Sequence, residues 1–339
     1  MKEGFGLYLL KRLFLGLITL LVILFASYAL MRLAPGDPTK SSMLGEGAGT
    51  QLASDRDALV QNQSLREKLY LDKPLAYGFF MWLSGVVRGD LGESAAVDKG
   101  QPVLNLILEK LPVTLRLNIF AILLTYLLAI PLGIFSAVRP DTRTDQTITF
   151  ILFFLYSLPV LWSALMLQAL FCKGGWCPIF PLKGITPDIL PGMSTWTILG
   201  KTALHYILPV FCLSYAGFAG LTRFTRAGML EVIHQDYIRT ARAKGVKNTK
   251  VIFKHALKNT LTPVITYAGP MMAYILTGSM VVDNIFSVPG LGRLFTNSML
   301  RTDYMMIMGV TIFLATMIIL MNFIGDILYK VVDPRIDLT

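Results

Sequence analysis

Leu117-Asn-Ile-Phe-Ala-Ile-Leu-Leu-Thr-Tyr-Leu-Leu-Ala-Ile-Pro-Leu-Gly-Ile-Phe-Ser-Ala-Val138 is 22 consecutive residues with no Lys, Arg, Asp or Glu. A helix that crosses the hydrocarbon core of a bilayer needs roughly 20 apolar residues. One such run could be a core helix of a large soluble domain. Five more occur: Leu13–Met31 (19 residues), Thr147–Phe171 (25), Thr202–Thr222 (21), Leu261–Val282 (22) and Tyr304–Gly325 (22). Six charge-free runs in 339 residues predict an all-α integral membrane protein with six transmembrane helices.

The composition agrees. The chain is 54% hydrophobic and 15% charged, against about 25% charged in a soluble domain. Disorder, collagen, coiled coil and a disulfide scaffold are all excluded by these proportions. The net charge of +10 would raise nucleic acid as a partner in a soluble chain. Here the charges lie between apolar runs, so they report orientation and anionic lipid contact instead, and no nucleic acid is expected.

Residues 1–12, 139–146, 223–260 and 330–339 carry three, two, nine and two Lys/Arg, while the short loops 172–202 and 285–303 carry three and two. The positive-inside rule puts the first set, and both termini, in the cytoplasm. Lys11 and Arg12 before the first run resemble a signal peptide. The run exceeds a usual h-region and no small-x-small site closes it, so it reads as a retained span. Residues 34–112 then lie outside. At 79 residues this is too long for a plain connector and predicts a small extracytoplasmic subdomain. Within it, a Gly/Ser-rich stretch at Ser41–Ser54 precedes an amphipathic charged piece from Asp55 to Leu71. The resulting division is 1–110 for the first helix plus subdomain, 111–329 for a five-helix body and 330–339 for a cytoplasmic tail. Pro131, Pro159, Pro209, Pro263 and Pro270 fall inside spans, where neighbouring helices can absorb the freed carbonyls.

Residues 223–260 are the most informative cytoplasmic feature. Leu230, Ile233, Tyr237 and Ala241 recur on one helix face. Gly245 then stops the helix, Asn248 can cap a second short one over Thr249–Lys258, and Pro263 fits the first turn of the next span. The result is helix, Gly turn, helix across the inner membrane face. A basic loop that only fixes topology is the bland reading. The ordered apolar face favours a docking element, because topology requires only charge.

The stretch Asp236-Tyr-Ile-Arg-Thr-Ala-Arg-Ala-Lys-Gly245, followed by His255-Ala-Leu-Lys-Asn259 and Pro263, resembles the "EAA" loop of ABC importer permeases. More narrowly, the chain resembles the dipeptide/oligopeptide (and nickel) permease family. Leu33-Ala-Pro-Gly-Asp-Pro38, Asp90-Leu-Gly-Glu-Ser94, Leu111-Pro-Val-Thr-Leu115 and Phe286-Ser-Val-Pro-Gly-Leu-Gly-Arg-Leu294 follow in the family's order over nearly the whole chain. One departure is visible. The Glu-Ala-Ala triplet reads Arg239-Thr240-Ala241, a variation familiar in the peptide branch.

The resemblance implies a type I ABC importer permease fold in a bacterial cell (inner) membrane. It implies a non-enzymatic subunit that pairs with a sister permease, sits on two cytoplasmic ATPase subunits and receives solute from an extracytoplasmic binding protein. By the same resemblance Asp236, Tyr237, Arg239, Thr240, Ala241, Ala243, Gly245, His255, Asn259 and Pro263 would couple to the ATPase. Peptide is the expected solute, with nickel as the alternative.

Other motifs carry little chemistry. Gly200-Lys201-Thr202 lacks the glycine a P-loop needs five residues earlier, since position 195 is Thr. Gly290-Leu-Gly292 lacks the third glycine of a dinucleotide fingerprint. His205, His234 and His255 show no metal-ligand spacing, and no catalytic residue, cofactor or metal is expected. Cys172 and Cys177 flank Lys-Gly-Gly-Trp on the outer side. Their spacing permits a disulfide without demanding one, two free thiols being the alternative. Asp283 and Asp326 lie at span edges, close enough to the interface to be solvated. A stand-alone secondary transporter or channel is the rival class, and it expects embedded coupling charges or broken helices. The span centres here are charge-free.

Overall fold

The computed structural model of the chain describes residues 5–33, 67, 70, 72–257, 259–260 and 280–332. Among them the regular structure is helical, with two isolated bridges, Glu93–Pro102 and Cys172–Phe180, in place of strands. In chain order the helices are α1 (Phe5–Leu33), α2 (Leu75–Val87), α3 (Val103–Val138), α4 (Arg143–Ser157), α5 (Val160–Phe171), α6 (Thr195–Ile233), α7 (Asp236–Ala243), α8 (Asn248–Lys250, continued by a π-helical stretch Val251–Ala256), α9 (Met280–Ile285), α10 (Leu291–Leu300) and α11 (Tyr304–Val332).

Four described helices are long and apolar enough to cross a membrane: Gly6–Leu33, Val103–Val138, Thr195–Ile233 and Tyr304–Ile327. They carry the first, second, fourth and sixth charge-free runs. The fifth run falls outside the described residues except for Met280–Val282 at the start of α9, and the amphipathic piece at 55–71 lies almost wholly outside them. With 36 residues α3 is about 54 Å long, and α6 with 39 is about 58 Å. Both exceed a hydrocarbon core of about 30 Å. They therefore extend well past their charge-free centres, and the first part of the basic segment 223–260 is a continuation of α6.

The third run departs from expectation. It is not one helix. Leu158 adopts extended backbone (φ −79, ψ 125) ahead of Pro159, and α4 and α5 are bent by 100°. The residue before a proline is pushed from the helical region, and Pro159 itself has no N–H for the ladder. A neighbouring helix absorbs a freed carbonyl, as the membrane requires: Tyr215 of α6 donates its hydroxyl to Leu158 O at 2.7 Å, and Ser163 donates to the Tyr215 oxygen at 3.3 Å. Elsewhere α6 meets α3 closely. A Cβ on Gly133 would sit 2.6 Å from Thr225 Cβ and 2.9 Å from Thr222 O, so only glycine fits there.

The residues fall into two compact units, Met1–Pro112 with Gly290–Ile319, and Val113–Pro289 with Leu320–Thr339. In the first, Tyr28 of α1 stacks on Trp82 of α2 with ring centroids 5.8 Å apart, over a core that includes Val103, Ile107, Leu291 and Met306. Its organising polar group is Asp303, fully buried at the corner between α10 and α11. One oxygen accepts from Ser94 Oγ at 2.6 Å and from the N–H groups of Ala96 and Val97 at 2.9 and 3.1 Å. The other caps α11 by accepting from Met306 N at 3.2 Å. The Asp90–Ser94 motif thus has a physical role, since its serine is strapped to an aspartate more than 200 residues on.

Among the described residues the second unit holds four apolar clusters around α3 and α6. At the end of α9, Ser287 takes a left-handed φ of 52, and Val288 N donates to Asp283 O at 2.8 Å. This closes the helix as a C-terminal turn does around glycine and explains the bend in the Phe286–Leu294 motif. Asp283 is buried at 3% exposure, which corrects the expectation of a solvated carboxylate.

Candidate coupling site

The basic segment folds as a short knob rooted on α3 and α6. α6 ends at Ile233, where His234 Nδ1 donates to Leu230 O at 2.7 Å. Gln235 turns the chain and α7 begins at Asp236. This break corrects the expected single apolar face. Leu230 and Ile233 belong to α6, so Tyr237 leaves their stripe and is 43% exposed. Ile238 takes the inward position instead, at 0% exposure, and packs in one cluster with Ile134 and Ala137 of α3, Met229 of α6, and Val251 and Ala256. Ala241, Val246 and Leu257 pack against that cluster as half-buried neighbours.

Gly245 stops α7 as expected. Its φ is +75; Gly245 N donates to Arg242 O at 2.9 Å and Val246 N to Ala241 O at 3.2 Å. That bond pair, with Ala241 and Val246 packed on one cluster, is the C-terminal turn that needs a left-handed residue. The second helix differs in detail. It starts at Asn248 with Lys247 in the cap position, no side chain caps it, and from Val251 it widens into the π-helical stretch. A widened turn of this kind is frequent at functional sites.

The outward face carries most of the residues singled out from the sequence. Asp236, Tyr237, Arg239, Thr240 and Ala243 are exposed, Gly245 is exposed, and Ala241 and His255 are half-buried. Asn259 donates its amide to Tyr237 Oη at 2.7 Å, tying the segment after α8 back to α7. Pro263 lies outside the described residues. Arg239 and Asp236 approach to 3.9 Å but are 73% and 99% exposed, so solvent screens that pair and it fixes nothing. A concave surface between α7 and α8 is lined by Lys244, Gly245, Lys247, Lys250, Phe253 and Lys254. Phe253 is 56% exposed among these lysines. Chemically this is a rigid basic knob with two surface aromatics, suited to a partner that offers carboxylates and an apolar slot.

Sequence reasoning missed the bond network beside the knob. Asp145, in the first turn of α4, is 4% exposed and accepts from both Arg226 of α6 and Ser136 of α3. Asp141 N donates to it at 3.0 Å, and Asp145 N donates to Oγ1 of the N-cap residue Thr142 at 3.3 Å. The Arg226 guanidinium holds the Asp145 carboxyl down to about 2. Asp145 and Arg226 both lie outside the charge-free runs. The available signal was Thr142 followed three residues later by an acid at the mouth of an apolar run. Asp303 was missed too, although it directly precedes the sixth run.

Cys172 and Cys177 stand as free thiols in the structure, one of the two alternatives their spacing allows. Cys172 is buried and its Sγ donates to Pro181 O at 3.3 Å, while Cys177 is exposed. Burial pushes the Cys172 thiol up. The loop between them passes so close to α5 that a Cβ on Gly175 would lie 2.1 Å from Ala169 O.

The profile of the family described as "Binding-protein-dependent transport system inner membrane component" matches residues 129–338. The oligopeptide transport system permease protein AppB of Bacillus subtilis (strain 168) is 40% identical over 97% of this chain and 99% of its own length. The oligopeptide permease OppB of Haemophilus influenzae is 36% identical over 97% and 98%, and the dipeptide permease DppB of Bacillus subtilis 35% over 98% and 98%. Among solved structures, an inward-facing form of the MetNI methionine ABC transporter superposes with a TM-score of 0.50 at 15% identity, covering 68% of this chain and 97% of that one. At that identity the likeness concerns the fold alone.

Proposed function

The chain belongs to the family of binding-protein-dependent transport system inner membrane components, and from that membership we propose that it is the permease subunit of an ATP-driven importer of peptides. The relatives at 35–40% identity are named for oligopeptides and dipeptides, which favours peptides over nickel. The charge bias of the loops supports a multi-pass orientation in a bacterial cell membrane with both termini in the cytoplasm. Trp176 and Trp196, 92% and 81% exposed, suit the opposite membrane–water boundary. Residues 1–110 then form the first helix and an extracytoplasmic subdomain, 111–329 the translocating body and 330–339 the cytoplasmic tail.

One observation carries the coupling role: α7 is rooted by a fully buried Ile238 while Tyr237, Arg239 and Thr240 face outward. Anchored that way, a knob moves with α3 and α6 as one body, so an ATPase that closes on it would shift the spans. Asp236, Tyr237, Arg239, Thr240 and Ala243 form the contact. Ala241, Gly245, His255, Asn259 and Pro263 complete the coupling set. The partners are a sister permease, two cytoplasmic ATPase subunits, an extracytoplasmic solute-binding protein and the surrounding lipid.

The test is uptake into vesicles containing the chain with its sister permease, ATPases and binding protein. Peptide accumulation that requires ATP hydrolysis supports the reading. Accumulation driven by an ion gradient with no ATPase present refutes it.

A further inference from the structure

The third charge-free run spans 147–171, and its helical ladder breaks at Leu158 and Pro159, at the centre of the run. Among the described residues the break stays open. Tyr156 is 60% exposed, Ser157 and Pro159 are exposed, and Leu158 is half-buried. Tyr156 and Ser157 close α4, Pro159 brings no N–H to continue its ladder, and α5 leaves at 100°. Hydrocarbon offers backbone polar groups nothing. Irregular backbone at membrane depth persists only where it is buried in protein or lines a water-filled cavity.

Local contacts hold the break in one shape. Tyr215 donates to Leu158 O, Ser163 donates to Tyr215, Ser163 N donates to Pro159 O at 2.9 Å, and Ser157 Oγ donates to Phe153 O at 2.8 Å. Tyr215 is itself 1% exposed. The break is therefore locked to α6 through Leu158, while Tyr156, Ser157 and Pro159 stay exposed.

We propose that the Tyr156–Pro159 break lines the solute path and offers backbone carbonyls to the N–H and ammonium groups of a passing peptide. This assignment rests on the importer reading above. A row of carbonyls suits that solute because every residue of a peptide carries an N–H except proline, whatever its side chain. Contacts of this kind are sequence-tolerant and individually weak, so the solute can leave.

The experiment uses the complete transporter in proteoliposomes with Cys177→Ser as background. Ser157→Cys is compared with Val22→Cys, whose native residue is 61% exposed on α1. Both are treated with a charged methanethiosulfonate and, separately, with a lipophilic maleimide. In water the thiol ionises normally, whereas each unit of upward pKa shift in lipid slows thiolate chemistry about tenfold. The expected result is charged-reagent labelling of Ser157→Cys at least about tenfold faster than Val22→Cys, slowed by peptide-loaded binding protein. Labelling of Ser157→Cys by the maleimide alone overturns the proposal by placing the break in lipid. Labelling by neither overturns it by placing the break under another subunit. ATP-dependent uptake is measured in the same vesicles. Intact uptake with negative labelling removes the path assignment only, whereas absence of ATP dependence in the parent complex removes the importer reading.

Discussion

Arg226 grips Asp145 with two parallel bonds, Nε at 3.0 Å from Oδ1 and Nη2 at 2.8 Å from Oδ2. With Ser136 on the same carboxylate, this joins α3, α4 and α6 just beneath the coupling knob. Side-chain exposures of 30% and 4% make the pair half-buried on the arginine side. Loss of one partner from a fully buried pair costs about 3–5 kcal/mol. Because Arg226 keeps access to water, Asp145→Asn or Arg226→Met is expected to cost about 2–3 kcal/mol, read as a fall in Tm of the purified protein. The Asp145 carboxyl titrates at about 2 rather than the ordinary 3.8. Its stabilisation is therefore complete above the ordinary value and fades as pH falls through about 4 towards 2. Between pH 5 and 8 the wild type and Asp145→Asn should keep a constant Tm difference.

On the knob, buried and exposed residues should fail differently. Ile238→Ala removes a fully buried side chain and should destabilise by about 2–5 kcal/mol. Arg239→Glu changes an exposed charge whose ion pair is screened. It should leave stability within about 0.5 kcal/mol of wild type while releasing the ATPase during purification. An unchanged yield of ATPase with Arg239→Glu would remove this face from the contact.

Gly245 separates strain from bulk. At φ +75 a branched side chain costs about 1–3 kcal/mol of backbone strain, although a Cβ there would meet nothing within 4 Å. Gly245→Val should insert normally and hydrolyse ATP without uptake, because the turn that aims α8 is lost. Gly245→Asn tolerates the left-handed region and should restore uptake. Equal failure of both variants would indicate that bulk, not conformation, matters.

Asp303 is the matching prediction for the first unit. Asp303→Asn places an NH2 group against donors that now converge on a carboxylate. With bonds to a charged acceptor worth about 1.5–3 kcal/mol each, the loop at Ser94–Val97 should detach and proteolysis at 94–102 should rise. Ser94→Ala should produce a milder version of the same change.

The cysteines give a simple chemical check. A charged thiol reagent should modify Cys177 and spare buried Cys172 and Cys212, with no dependence on prior reduction. A two-dalton mass gain on reduction would show that Cys172 and Cys177 are bonded.

The spans were legible because a bilayer demands a minimum length of charge-free helix, and four long helices sit on the runs that satisfy it. The break at Pro159 was not, because a proline in a span can bend a helix or end it, and Tyr215, the donor that makes ending tolerable, lies 57 residues away. Gly245 was readable as a stop from residue type alone. The inward face of α7 was not, since the turn at His234 and Gln235 carries no glycine or proline and shifts the register from Tyr237 to Ile238. Ser94 was noticed as part of a motif, but its bond to Asp303 depends on tertiary folding that no local pattern reports.

On the proposed function, α7 touches a nucleotide hydrolase. The most direct measurement places a photo-crosslinking amino acid at Tyr237, exposed on that helix, and irradiates the assembled transporter. The account predicts a covalent adduct with the ATPase subunit that strengthens when ATP closes the complex. Adducts with the solute-binding protein, or with lipid alone, would contradict it.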